Sequence, residues 1–111
     1  MFIGVAGAAG VLARYGVAQL TSSIWATFGV NVVGSLLLGI LICVGRDLEP
    51  AVRDALSVGF LGGFTTFSTF TMQAVLEADD ARVGFAVLYV IASVLVGVAA
   101  AAAGYYGAKA L

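Results

Sequence analysis

The sequence predicts an all-α membrane protein: one domain over residues 1–111, built from four transmembrane helices, the third of them kinked or broken near Gly62-Thr65. Three observations lead there. Of the 111 residues, 62% are hydrophobic and 10% charged, and the mean hydropathy is +1.13. A soluble domain carries roughly 25% charged residues, so too few remain here to solvate a surface. The charges cluster, and the clusters divide the chain into four apolar segments. A spanning helix takes about 20 residues, so four spans nearly fill the chain and leave no room for a soluble catalytic domain.

The first segment runs from Phe2 to Leu20 with Arg14 as its single charge, and Thr21-Ser22-Ser23 is a short polar break. The second runs from Ile24 to Val44 without a charge. Arg46, Asp47, Glu49, Pro50, Arg53 and Asp54 form a charged loop, and Pro50 suits a helix start. The third segment covers Ala55 to Leu76 and contains Gly59 and the pair Gly62-Gly63, residues that weaken a helix. Glu77, Asp79, Asp80 and Arg82 form the next loop, and the fourth segment runs from Val83 to Gly107, with Lys109 near the end. Backbone groups in hydrocarbon must be satisfied internally, so the segments are expected as helices. Alternating ten-residue strands of a membrane barrel are not seen. Glycine occurs 15 times, and Gly4, Gly7, Gly10, Gly34, Gly39, Gly97 and Gly104 fit close helix packing in lipid.

Composition also excludes partners and chemistry. A net charge of −1 argues against nucleic acid. One cysteine, Cys43, and no histidine allow neither an internal disulfide nor a conventional zinc site. No nucleophile–base pair is evident, so no enzyme activity is expected. The first apolar run starts without a basic leader, which indicates a retained first span. The positive residues are spread over both sides of a four-span topology, so the orientation bias is weak and insertion in both directions is an expectation.

Several polar residues fall inside the spans. Arg14 is either a snorkelling side chain near a helix end or a cation facing an aqueous vestibule, where it would attract anions. No acid lies within a span, which separates this chain from small exporters of organic cations and directs the substrate toward an anion or a neutral molecule. Asn31, in the middle of the second segment, either bridges helices or donates to a permeating anion. After Gly62-Gly63 come Thr65, Thr66, Ser68 and Thr69. This run reads either as a kinked helix with hydroxyls bonded to its own backbone, or as a break whose carbonyls bind a hard cation such as sodium. Phe67 and Phe70 are three apart and share a helical face, where positive ring edges could contact a small anion. Tyr89 and Ser93 make a row on the fourth segment that reaches Gly97 one turn later.

These residues resemble a known family. Gly62-Gly63-Phe64-Thr65-Thr66-Phe67-Ser68-Thr69-Phe70 is similar to the third-helix signature of the Fluc/CrcB fluoride channels. Gly10-Val11-Leu12-Ala13-Arg14-Tyr15 resembles that family's first-helix element, and Gly29-Val30-Asn31-Val32-Val33-Gly34 its second-helix element. The matches run in order over about residues 10 to 97.

The resemblance implies a subunit of a fluoride-selective channel that conducts fluoride passively out of the cell and lowers its cytoplasmic concentration. It implies a multi-pass protein of the bacterial plasma membrane, paired antiparallel with a second subunit in a dual-topology homodimer, or in a heterodimer with a paralogue. By position, the pore residues are Asn31, Phe67, Phe70, Tyr89 and Ser93, and Arg14 stands at the vestibule. Backbone carbonyls of Gly62 and Thr65 would bind a structural sodium ion at the dimer centre, one that is not transported. The family's polar track often continues with a further serine, where this chain has Gly97. The competing readings are a cation exporter and a non-transporting packing subunit.

Overall fold

In the computed structural model, residues 2–21 and 24–111 are described, and every regular element among them is helical. Ser22 and Ser23 of the expected polar break lie outside the described residues. Helix α1 spans Phe2–Leu20 and α2 spans Ile24–Val44, the limits the charge pattern predicts. A short 3-10 turn, Gly45–Asp47, follows. Helix α3 covers residues 50–64: an α-helical start at Pro50–Asp54, a π-helical stretch at Ala55–Leu61 and an α turn at Gly62–Phe64. After a break, α4 spans Phe67–Asp79 and α5 spans Val83–Lys109. Helices α1, α2 and α5 are each long and apolar enough to cross a membrane. The remaining traverse is made by α3 and α4 end to end.

The charged loops are shorter than the sequence indicates. Pro50 stands in the first helical turn, so Arg53 and Asp54 are already helical. Glu77 and Asp79 belong to the last turn of α4. Ala81 closes that corner with φ of 61°, and Arg82 pairs with Glu77 at 3.1 Å while lying 4.4 Å from the Phe85 ring centre.

Glycine sets the packing. A Cβ on Gly10 would strike the Phe60 carbonyl and lie 2.9 Å from the Phe64 nitrogen, and one on Gly59 would lie 2.8 Å from the Ile3 carbonyl. Helices α1 and α3 therefore touch backbone to backbone and run parallel, since rising numbers meet rising numbers. The same holds for α2 and α5, where Gly39 faces Ala101 and Tyr105, and Gly104 faces Leu36 and Ile40. Close approach of this kind replaces hydrophobic collapse as the source of helix association in lipid. Gly4, by contrast, has nothing within 4 Å.

The helix pairs form a slab of 49 × 32 × 19 Å. Its long axis exceeds the roughly 30 Å of bilayer hydrocarbon. Few large side chains are buried, Phe70, Tyr89 and Leu61 among them, whereas Phe67, Leu12 and Trp25 are exposed. Lipid or another protein surface is the solvent such a face requires.

Candidate functional site

The third traverse breaks at Thr65 and Thr66, both in extended backbone, with φ/ψ of −88°/157° and −147°/122°. The break was expected at Gly62-Gly63 as well as Thr65. The glycines instead remain helical, and Gly63 packs against Gly7 and Val11. A glycine weakens a helix only when nothing holds it, and here α1 lies directly against it. Thr66 starts the second half as its N-cap, its Oγ1 accepting from the Thr69 N–H at 3.3 Å.

Asn31 reaches across from α2 and braces the break at two points. Its Nδ2 donates to the Thr66 carbonyl at 2.9 Å, and its Oδ1 accepts from the Thr66 N–H at 2.8 Å. In an unbroken helix, the Thr66 N–H would bond the Gly62 carbonyl and the Thr69 N–H the Thr65 carbonyl. Both donors are turned elsewhere, so the Gly62 and Thr65 carbonyls lose their helical partners. Thr65 uses its own N–H and hydroxyl on the Leu61 carbonyl, each at 3.0 Å, and its methyl sits over Gly34.

Arg14 joins the same point from α1. It is half-buried, and its Nε donates to the Gly63 carbonyl at 3.1 Å. A cation suits the end of α3, where helix carbonyls concentrate partial negative charge. Arg14 also lines a cavity of about 110 Å³ with Thr27, Thr66, Thr69 and Gln73. On the other side of the break, Asn31, Ser35, Gly62, Thr65, Thr66 and Phe67 border a groove of about 260 Å³.

The aromatic residues continue from the break. The Phe67 and Phe70 ring centres are 5.9 Å apart, and Phe70 meets Tyr89 edge to face at 5.2 Å and 64°. Phe70 is buried, but Phe67 is 77% exposed. The Tyr89 hydroxyl donates to Gln73 Oε1 at 3.0 Å, while the Ser93 hydroxyl is buried without a partner among the described residues. Asn31, Phe67, Phe70, Tyr89, Arg14, Gly62 and Thr65 thus gather around one break, with Ser93 one turn beyond Tyr89. Gln73 was not among the residues singled out from the sequence. Its signal was its place on the helical face of Thr66, Thr69 and Phe70, as the lone side-chain amide of the third segment.

Fold and site define a multi-pass helical membrane protein whose polar groups converge on an interrupted span. The chain belongs to the family described as "CrcB-like protein, Camphor Resistance (CrcB)", which matches residues 1–105. A relative from Rhodococcus jostii, "Fluoride-specific ion channel FluC 1", is 48% identical over 103 residues, covering 92% of this chain and 78% of its own. "Fluoride-specific ion channel FluC" from Methylobacterium sp. is 45% identical over 113 residues, covering 95% and 90%. The protein of that name from Novosphingobium aromaticivorans is 37% identical over 107 residues, covering 87% and 85%.

Proposed function

We propose that this chain is a subunit of a fluoride channel that carries the anion passively out of the cell. It belongs to a channel family and is not an enzyme. The observation that carries the reading is the Asn31–Thr66 brace, which holds a broken span open beside the paired rings of Phe67 and Phe70. Conduction needs contacts strong enough to admit the ion and weak enough to release it. Ring edges meet that need through their positive hydrogens. Asn31 Nδ2 carries a second N–H beyond the one given to Thr66, and the Ser93 hydroxyl adds a donor one turn beyond Tyr89, whose own O–H is held by Gln73. Phe67 lies in the first turn of α4, so the positive end of that helix dipole faces the same space. Arg14 raises the local anion concentration at the vestibule.

Two copies in antiparallel orientation complete the channel. The exposure of Phe67 and the thin slab support a partner over that face. The partner is a second copy or a paralogue, and the weak charge bias suits dual insertion. The donor set at the break fits sodium: neutral carbonyl oxygens freed from helix bonding, from Gly62 and Thr65 of each subunit. When bound, such an ion would supply a fixed positive charge at the break. Asn31 and the Thr66 cap hold the N–H groups that would otherwise bond those carbonyls.

Hydrogen fluoride crosses membranes as a neutral acid and dissociates in a less acidic cytoplasm, trapping the anion. A passive channel then lets it leave down its gradient. Expression in a bacterial strain lacking fluoride export tests this directly. Restored growth on fluoride is expected; sensitivity unchanged, with the protein verified in the membrane, would contradict export.

A further inference from the structure

The row of hydroxyls on α5 ends early in this chain. Tyr89, Ser93 and Gly97 are spaced by four and share a face, but Gly97 has no side chain. Helices α2 and α5 run parallel, and the nearest heavy atom to a Cβ built on Gly97 is Ser35 Oγ, at 3.9 Å. One turn back on each helix from this Ser35–Gly97 level stand Asn31 and Ser93. Ser35 also borders the groove of about 260 Å³ that Asn31, Thr65, Thr66 and Phe67 line. Any larger apolar side chain at 97 would cover the Ser35 hydroxyl, and glycine leaves it open. The Ser93 hydroxyl has no partner among the described residues, so it is free to donate to something that passes.

We propose that the polar row crosses between helices at this level, from Ser93 on α5 to Ser35 on α2, making Ser35 a conduction residue that replaces the hydroxyl absent at Gly97. The proposal deepens the channel reading and rests on it. The anion, on passing Ser93, meets the Ser35 O–H donor from the facing helix. The distance of 3.9 Å also leaves ordinary space for a small side chain at 97, so a serine there can take over the role.

The test is fluoride efflux from liposomes for wild type, Ser35→Ala, Ser35→Ala with Gly97→Ser, and Ser35→Ala with Gly97→Ala, with thermal unfolding of each in detergent. Ser35→Ala is expected to slow efflux about fivefold to tenfold, the loss of roughly one hydrogen bond, without moving the unfolding temperature. Adding Gly97→Ser restores efflux, and adding Gly97→Ala does not, which separates the hydroxyl from the volume. Unchanged efflux in Ser35→Ala, or rescue by Gly97→Ala as well as by Gly97→Ser, overturns the proposal. Where Ser35→Ala unfolds early, Ser35→Cys keeps a side chain of the same connectivity with only a weak donor; slowed efflux supports the role and full efflux refutes it. A silent wild type would instead sink the channel reading itself.

Discussion

Asn31 and Thr66 form a closed two-point pair, side-chain amide to backbone amide, at 2.9 and 2.8 Å across 35 residues of sequence. This pair gives the Thr66 N–H the partner it would otherwise find in a continuous helix, so a membrane-embedded helix can stop and restart at Thr66 without stranding that group. Asn31→Ala leaves the Thr66 N–H unpaired, while the Thr66 carbonyl, as that of the N-cap, keeps its bond within α4. A destabilisation of about 1–3 kcal/mol is expected, the cost of one stranded group. Thermal unfolding in detergent measures it, and fluoride efflux is expected to fall with it.

The glycines divide into two classes that stability measurements separate. Gly10→Ala and Gly39→Ala push a methyl into a facing backbone, and overpacking of this kind costs about 1–3 kcal/mol. Gly16→Ala and Gly84→Ala meet nothing within 4 Å. They are expected to be neutral or to stabilise by up to about 1 kcal/mol through helix propensity.

Phe67 and Phe70 respond differently to isoleucine. Phe70 is buried against Tyr89, so Phe70→Ile lowers both efflux and the unfolding temperature. Phe67 is open in the single chain, so Phe67→Ile leaves subunit folding intact. Its efflux falls by roughly twofold to tenfold, the range an aromatic contact of about 0.5–1.5 kcal/mol allows. Parallel efflux and unfolding assays on the two variants check this division.

Sodium, if held by the freed carbonyls, is expected to stabilise the folded protein by mass action. Raising sodium from a trace level to about 100 times its dissociation constant adds roughly 2.7 kcal/mol. An unfolding temperature that rises with sodium but not with N-methylglucamine, at fixed ionic strength, is the expected result.

The span limits were legible because charges are confined to the ends of segments. Phe2, Leu20, Ile24 and Val44 bound both the apolar runs and the helices. Pro50 starts a helix as its type predicts, but the loops were read too long because Arg53, Asp54, Glu77 and Asp79 stand in helical turns. The glycines and hydroxyls marked the broken span, but the broken residue did not follow from them. Asn31, distant in sequence, selects Thr66, while α1 keeps Gly63 helical. The π-helical stretch Ala55–Leu61 had no local signal either. Arg14 stood out as a lone intramembrane charge, but its contact with Gly63 depends on how α1 lies on α3. Gln73 went unnoticed although it shares a helical face with Thr66 and Thr69. Its bond to Tyr89 appears only once α4 packs on α5.

Anion efflux from liposomes reconstituted with the purified protein tests the central claim most directly. Under a potassium-diffusion potential, the account predicts release of fluoride and retention of chloride. No fluoride release from well-reconstituted protein, or equal release of both anions, would contradict it.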